Sequence, residues 1–241
     1  MPDKVFDFPK SLKLRYIWKI FSGSDFHVTP ILFTQMNSQF SIRLISENDA
    51  REVLDIYKPF VINTIISFEY EAPSVDEFLQ RIQNNILEYP WLVCQHGNKI
   101  IGYAYASKHR QRKAYQWSCE STVYLAPEFQ NKGIARILYK TLFSILKMQG
   151  YFNVYAGISL PNQKSVGFHQ SFGFKKIGIY KKTGFKFGKW HDVAWFYFHL
   201  EKHIGNPPEP KTIQAVVNTE TFKQILEDAN KSVKEIDVKK K

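Results

Sequence analysis

Apolar residues recur along the middle of the chain with a period of two in some stretches and of three to four in others, which predicts alternating strands and helices. Residues 41–45 alternate as a short strand, and apolar side chains between residues 53 and 57 repeat as on one helix face. Ser74 and Glu77 have the spacing of a capping box, which predicts a second helix running to about residue 87.

The next part of the chain repeats these two patterns over longer elements. Gly97-Asn98 lies between two apolar runs and predicts a hairpin. Pro127 ends a long strand, and Gly150 closes the most amphipathic helix of the chain. The predicted elements are strands at residues 91–95, 100–106, 116–126, 152–158, 174–180 and 190–200, and helices at residues 133–148 and 162–171.

The resulting order is β-α-α-β-β-β-α-β-α-β-β. Hairpins in the first part and βα units in the second predict an α/β (α+β) fold with one mixed sheet covered by helices. We therefore expect a domain over residues 41–202, an N-terminal extension over 1–40, and a polar, basic C-terminal tail over 203–241 with a helix near 221–233. Residues 12–21 form a basic amphipathic segment that fits either membrane contact or an arm packed on the domain.

Composition narrows the class of protein. The net charge of +11 favours an anionic partner, which could be nucleic acid, a lipid surface or a polyphosphate cofactor. The two cysteines, Cys94 and Cys119, lie in apolar stretches and are expected to be buried thiols, which disfavours a disulfide framework. No apolar run is long enough to span a membrane, and no signal peptide is recognisable, so we expect a cytoplasmic protein.

One strand-to-helix junction carries candidate chemistry. Gln130, Gly133 and Ala135 lie where the long strand gives way to the amphipathic helix. A helix start leaves several amide N–H groups unpaired and carries partial positive charge, so a pyrophosphate could bind there. Gly133 permits close approach of the backbone, whereas the bare spacing also fits an ordinary turn.

The chain resembles the GNAT superfamily of N-acetyltransferases, and within it the phosphinothricin and methionine-sulfoximine N-acetyltransferases. The resemblance extends from about residue 42 to residue 200. The matching blocks are Phe68-Glu69-Tyr70-Glu71, Tyr89-Pro90-Trp91-Leu92-Val93, Ala114-Tyr115-Gln116-Trp117, Glu120-Ser121-Thr122-Val123-Tyr124, Leu160-Pro161-Asn162, Phe168-His169-Gln170-Ser171-Phe172-Gly173-Phe174 and Gly188-Lys189-Trp190-His191-Asp192-Val193.

The resemblance implies acetyl-CoA as the co-substrate and no metal. In the family fold two central strands splay apart, and the pantetheine arm of the cofactor lies between them. The residues then expected to bind acetyl-CoA are Val123, Tyr124 and Leu125 along the strand, Gln130, Asn131, Lys132, Gly133, Ile134 and Ala135 around the pyrophosphate, and Asn162 beside the arm. Asn131 replaces an arginine that is frequent in the family, and Lys132 is expected to compensate.

Two residues are expected to carry the chemistry. By resemblance, Glu120 is the base that removes a proton from the substrate ammonium, because an amine is nucleophilic only when deprotonated. A carboxylate that only pairs with a cation is the structural alternative. His169 stands where many family members have a tyrosine, and it is expected to act as a second base or as a proton donor to the leaving sulfur. A cleft histidine that only forms hydrogen bonds is the alternative.

The resemblance also implies a site for the acetyl acceptor. Arg112 and Tyr115 match positions that hold the acidic end of an amino-acid substrate, and Phe68 matches an aromatic residue at the mouth of the site. Arg112 also belongs to a charged run over residues 108–113 that fits a solvated loop, and Phe68 fits simple core packing.

Taken together, the expected function is transfer of acetyl from acetyl-CoA to the primary amine of a small amino acid or analogue, by a homodimer. Acetylation of a protein N-terminus or of a polyamine is a second enzymatic hypothesis, although Arg112 would repel a polyamine. A non-catalytic basic module is the hypothesis of another class. Nucleic acid is not an expected partner, because no basic stripe with aromatic residues on one face is visible.

Overall fold

The computed structural model describes residues 39–238. Seven strands form one sheet: β1 (Phe40–Leu44), β2 (Trp91–His96), β3 (Lys99–Lys108), β4 (Ser118–Leu125), β5 (Asn153–Leu160), β6 (Lys175–Lys186) and β7 (Lys189–His199). Six α-helices accompany it: α1 (Ala50–Asn63), α2 (Val75–Asn85), α3 (Ile134–Gln149), α4 (Gln163–Phe172), α5 (Ile213–Val216) and α6 (Glu220–Val238). The amphipathic segment at residues 12–21 and the terminal Lys239-Lys240-Lys241 run lie outside the described residues.

The strands are ordered β1-β2-β3-β4-β5-β7-β6 across the sheet. β4 and β5 are parallel, and every other neighbouring pair is antiparallel. The predicted mixed α/β fold and its element order over residues 41–202 are therefore confirmed. The predicted hairpin between β2 and β3 is also observed, with Gly97 in the left-handed region at φ 62°.

Two hydrophobic clusters cover the two faces of the sheet. The larger contains the inner face of α3, where Leu138, Leu142 and Leu146 are fully buried. The smaller contains α1 and α2, with Val53 and Ile82 fully buried against the aromatic side chains of β2 and β3. Burial of whole aliphatic side chains contributes about 1.5–3 kcal/mol each, so these faces hold the helices on the sheet.

Local signals set the ends of the helices as predicted. The Ser74 hydroxyl accepts a hydrogen bond from the Glu77 amide at 3.2 Å, and the Glu77 carboxylate accepts one from the Ser74 amide at 2.7 Å. Gly150 ends α3 in the left-handed conformation at φ 95°. Cys94 and Cys119 are both buried free thiols, as expected.

The C-terminal segment has more tertiary structure than its polar composition indicates. α6 packs on α3 and on the edge strand β1, and Phe222, Ala229 and Val233 are buried in the larger cluster. Asn230 substitutes for a neighbouring strand: its Oδ1 accepts from the Ile42 amide at 2.8 Å, and its Nδ2 donates to the Ile42 carbonyl at 2.9 Å. α6 thus covers the otherwise open edge of β1.

The strand predicted at residues 174–180 is too short. β6 continues to Lys186 and turns into β7 through Phe187 and Gly188, both with positive φ. β6 is an edge strand with two register shifts, and most of its side chains are exposed on both faces. The alternation of apolar and polar residues that marks a half-buried strand is therefore missing from its second half.

Candidate active site

The central parallel strands separate from each other immediately after Glu120. β4 and β5 pair only at Ser118–Asn153, Cys119–Val154 and Glu120–Tyr155. Beyond that point β4 continues to pair with β3 as far as Leu125, and β5 continues to pair with β7 as far as Leu160. The facing edges of β4 and β5 therefore present backbone donors and acceptors to a wedge between them.

A cleft of about 410 Å³ fills this wedge. Its walls come from β4, β5, the start of α3 and the inner side of α4. Ser121 and Ser159, one from each strand, both line this cleft and are buried. Polar side chains are therefore built into both strand walls of the cleft.

The mouth of the cleft lies at the N-terminus of α3. Asn131 and Gly133 both have positive φ, at 59° and 85°, so the loop makes a tight turn into the helix. Gly133 has no side chain to cap the helix, unlike Ser74 at α2 and Asn162 at α4. The first amides of α3 are therefore left for another acceptor, and the helix dipole favours an anion there.

These features fit acetyl-CoA. The two open strand edges can pair with the amides of the pantetheine arm as an added strand would. The uncapped start of α3 can accept a pyrophosphate, and the narrow end of the wedge lies at Glu120. The site thus offers a polar mouth for phosphates and hydrogen-bonding walls for an amide chain. Glu120 does not itself line the cleft but directly precedes Ser121, which does.

Glu120 lies on the side of the sheet covered by α1 and α2, and its side chain is about one-third exposed. Its Oε1 is 2.9 Å from Nδ1 of His109, the residue that follows β3. An ionised carboxylate can only accept hydrogen bonds, so His109 Nδ1 is the donor. Glu120 is therefore held in place by one oxygen, and its second oxygen has no hydrogen-bond partner among residues 39–238.

His169 lies on the inner side of α4 and is 5% exposed. Its Nδ1 is 2.8 Å from the Ser165 carbonyl, and its Nε2 is 3.2 Å from the Tyr139 hydroxyl. Burial lowers the pKa of His169, although the hydrogen bond to Ser165 opposes this shift. The ring is consequently neutral at pH 7, with the proton on Nδ1 and the lone pair of Nε2 facing Tyr139.

The residues predicted to bind the cofactor are distributed around the cleft with two exceptions. Those that line it are Val123, Tyr124, Leu125, Gln130, Asn131, Gly133, Ala135 and Asn162. The Lys132 side chain lies over the Phe129 ring, and Ile134 is fully buried in the core beneath the loop. These two residues do not line the cleft, so only their backbone amides are available to a ligand there.

The three residues predicted to bind the acceptor lie apart from the cleft. Phe68 is half-buried against the β6–β7 hairpin, where a Cβ on Gly184 would come within 2.3 Å of its ring. The loop before it is fixed by Lys186, whose buried Nζ donates to the carbonyls of Val61 and Ser67 at 2.5 and 2.7 Å. Phe68 thus has a packing role whether or not it also contacts substrate.

Arg112 precedes a short 3-10 turn, Lys113–Tyr115, that leads into β4, and Tyr115 is its last residue. Arg112 is exposed and has no ion-pair partner among the described residues. Tyr115 is 43% exposed, and the edge of its ring faces His109 at 6.2 Å. The structure therefore brings Tyr115 close to the His109–Glu120 pair and leaves the Arg112 guanidinium in solvent.

Two residues at the site were missed in the sequence. His109 is hidden within the charged run over residues 108–113, where its neighbours indicate a solvated loop. Tyr139 is fully buried on α3 and lines the cleft, yet in the sequence it is one more residue of an amphipathic helix. Only the strand register and the packing of α3 against α4 distinguish these residues from their neighbours.

The described part of the chain has neither a membrane-spanning helix nor a metal-binding cluster. None of its helices combines the length and the apolar character needed to cross a bilayer. Over residues 39–238, no three His, Cys, Asp or Glu side chains are grouped as they would be around a metal ion.

Comparison with known proteins gives the family. The profile of the acetyltransferase (GNAT) domain matches residues 42–195. The phosphinothricin N-acetyltransferase of Streptomyces viridochromogenes is 33% identical over 169 residues, which cover 70% of this chain and 91% of that protein. The L-methionine sulfoximine/L-methionine sulfone acetyltransferase of Salmonella typhimurium is 28% identical over 164 residues, covering 68% of this chain and 96% of that protein.

Among solved structures, a GNAT superfamily phosphinothricin acetyltransferase from Sinorhizobium meliloti, in complex with acetyl-CoA, has a TM-score of 0.66 and 32% identity. The match covers 71% of this chain and 94% of that one. The profile match spans more than half of the chain and agrees with the splayed strands and the uncapped helix start, and the chain belongs to the GNAT family of acetyltransferases.

Proposed function

We propose that this chain transfers the acetyl group of acetyl-CoA to the primary amine of a small amino acid or amino-acid analogue, of the phosphinothricin or methionine sulfoximine type. The observation that carries the proposal is the wedge between β4 and β5, which has Glu120 at its closed end and an uncapped helix start at its mouth. The similarity to acetyltransferases that are named for such acceptors supports the substrate class.

Glu120 is the proposed base. Its free carboxylate oxygen takes one proton from the substrate ammonium, and the amine nitrogen then attacks the thioester carbonyl carbon. The carbon–nitrogen bond forms, the carbon–sulfur bond breaks, and the thiolate of coenzyme A takes up the second proton, which the nitrogen loses as it becomes an amide. A backbone N–H near Tyr124 or Leu125 is the proposed donor to the oxyanion of the tetrahedral intermediate.

His169 is the second proposed catalytic residue. To donate a proton to sulfur from Nε2, His169 would have to be charged, and burial opposes that state. The neutral ring with an accepting Nε2 therefore favours the role of a base over that of an acid. The Tyr139 hydroxyl is 3.2 Å from His169 Nε2, and both residues line the cleft, so Tyr139 is proposed to link the ring to the leaving group.

Acetyl-CoA is the proposed ligand of the whole cleft. The pantetheine arm pairs with the backbone of Val123, Tyr124 and Leu125, and the pyrophosphate accepts from the amides of Gln130, Asn131, Lys132, Gly133, Ile134 and Ala135. Asn162 caps α4 through Oδ1, which accepts from the Ser165 amide at 3.2 Å. Its Nδ2 is thus available to a carbonyl of the arm.

The acceptor is proposed to approach from the α1–α2 side of the sheet, past Tyr115. Arg112 would pair with the acidic end of the amino acid, and Phe68 would lie at the mouth of the site. Arginine suits a carboxylate or phosphinate because its guanidinium donates two parallel hydrogen bonds. This arrangement requires the exposed residues 110–113, between His109 and β4, to fold over the bound substrate.

Thiol release measured with acetyl-CoA and a panel of amines tests the proposal. The informative pair is methionine sulfone and the same compound without its carboxylate, 3-(methylsulfonyl)propylamine. We expect rapid release with methionine sulfone, methionine sulfoximine or phosphinothricin and slow release with the decarboxylated amine, spermidine and a peptide with a free N-terminus. Equal or faster release with the peptide or spermidine would contradict the proposed substrate class.

A homodimer is proposed as the assembled form. Large apolar side chains on the β6–β7 hairpin are exposed, among them Ile177, Phe187 and Trp190 at 56–60%. Such a patch is typical of an interface. Light scattering should give twice the chain mass, and a Trp190→Glu, Phe187→Glu double variant should give the monomer mass.

A cytoplasmic location is also proposed, because acetyl-CoA is too highly charged to cross a bilayer, and cell fractionation would test it.

A further inference from the structure

His109 reaches Glu120 because of the register between β3 and β4. Ser107 pairs with Glu120 and Lys108 with Cys119, so the residue after β3 comes alongside the last paired position of β4. The contact of 2.9 Å between His109 Nδ1 and Glu120 Oε1 follows directly from this register. The pair occupies the vertex of the wedge, where the two central strands part.

Aromatic side chains from three elements fix the orientation of the His109 ring. Tyr155 stacks on it, with ring centroids 4.4 Å apart and planes at 15°. Trp195 and Tyr115 face it with their edges, each at 6.2 Å. The imidazole is thereby held in one plane, with only 12% of its side chain exposed.

Among the charged and titratable groups around His109, Glu120 is the acceptor of the Nδ1–H hydrogen bond. The residues next to His109 in the chain are the exposed cations Lys108 and Arg110, and Lys108 lies 3.7 Å from Glu88. The titratable groups that face the ring from other elements are the phenols of Tyr115 and Tyr155. Glu120 is the carboxylate in contact with the imidazole, so it fixes the proton on Nδ1.

We propose that His109 is a positioning residue for the transfer reaction: its Nδ1–H holds Oε1 of Glu120, so that the other carboxylate oxygen faces the substrate ammonium. This inference rests on the proposed function of Glu120 as the base. Proximity and orientation of a base contribute much of its effect, because a misplaced carboxylate must first rotate and be desolvated. His109 needs no proton transfer of its own for this role.

Two variants of nearly equal shape separate the hydrogen bond from the packing. His109→Asn keeps an N–H donor at the δ position, whereas His109→Leu removes the donor, and both remove the ring from its aromatic surroundings. We expect kcat with a small amino-acid acceptor to fall at least tenfold in His109→Leu and to recover most of that loss in His109→Asn. The KM for acetyl-CoA should be unchanged in both, because His109 does not line the cleft.

Equal losses of kcat in both variants would assign His109 a packing role and overturn the proposal, and so would an unchanged kcat in His109→Leu. Melting temperatures of the two variants, expected to agree, exclude a difference in folding. His203→Leu, a change at an exposed histidine, is the control for loss of an imidazole.

The contact can also be measured without turnover, which separates this inference from the proposed function. Nitrogen-15 NMR of the imidazoles, with His109 assigned by its absence in His109→Asn, should find the proton of His109 on Nδ1. Glu120→Leu, which has no acceptor for Nδ1–H, should move it toward Nε2, the form that histidine favours in water. A proton on Nε2 in the unaltered protein would refute the contact, even if the chain proves inactive with every amine.

Discussion

Glu120 faces Tyr155 at the last position where β4 and β5 pair. One residue further on, both strands have open edges, and Ser121 and Ser159 line the cleft between them. The carboxylate is thereby placed at the one point where the sheet changes from closed to open. A base at this vertex can meet an amine arriving from the α1–α2 side while a thioester arrives along the strand edges.

The Glu120→Gln variant keeps the size of the side chain and removes its basicity. We expect kcat to fall by about 10²–10⁴-fold, the usual contribution of a positioned base, while the dissociation constant for acetyl-CoA changes by less than about twofold. Steady-state kinetics and calorimetric titration measure the two quantities. Glu227→Gln, on the exposed face of α6, is the control, and unchanged turnover in Glu120→Gln would exclude Glu120 as the base.

Gly133 and Gly188 offer a matched test of the helix start. Both have positive φ, at 85° and 71°, and a Cβ added at either meets nothing within 4 Å. Replacement by alanine therefore costs a similar strain at each, about 1–2 kcal/mol in the free energy of unfolding. Only Gly133→Ala should weaken acetyl-CoA binding, by about tenfold or more, because it disturbs the amides at the cleft mouth.

Urea unfolding and titration with coenzyme A separate these two effects. If the two variants lose equal stability and bind coenzyme A with equal affinity, the N-terminus of α3 is not part of the binding site.

His169 should make the stability of the protein depend on pH. Its pKa in the folded state is lowered from the ordinary 6.5 by burial, so the unfolded chain binds the proton more readily. Its neutral ring therefore contributes stability that is complete above about pH 6.5 and is lost as the pH falls below that value.

His169→Gln has no titrating ring, so its melting temperature should fall less between pH 7 and pH 5 than that of the unaltered protein. The exposed variant His203→Gln serves as the control and should follow the unaltered protein. A parallel decline in His169→Gln and the unaltered protein would mean that the ring is already protonated in the folded state.

Asn230 should contribute to stability through its two hydrogen bonds to the backbone of Ile42. Asn230→Leu has nearly the same shape and leaves the Ile42 amide and carbonyl without partners, so we expect a loss of about 2 kcal/mol in the free energy of unfolding. Gln224→Leu removes an exposed Gln224–Asp228 contact on the same helix and should cost only a few tenths of a kcal/mol. Similar losses of unfolding free energy in both variants would show that the Asn230 hydrogen bonds to the edge of β1 do not contribute to stability.

Much of the fold could be predicted from the sequence, because the signals that begin and end its helices and turns are local. A capping box at Ser74, a hairpin turn at Gly97 and a C-terminal glycine at position 150 each act within a few residues, and periodicity marks the buried face of α3. The second half of β6 was not predicted, because an exposed edge strand has no buried face that imposes an alternation of apolar and polar residues. α6 was only partly foreseen, because its polar composition hides the Asn230 contact with a strand 188 residues away.

The sequence by itself determined the family, the order of the elements and a loop around Gly133 suited to a diphosphate. The tertiary structure alone decided that β4 and β5 part at Glu120, that His109 reaches this carboxylate, and that Tyr139 faces His169. These are relationships between residues that lie 11 to 35 positions apart in the chain. They depend on strand register and helix packing, which short-range patterns do not encode.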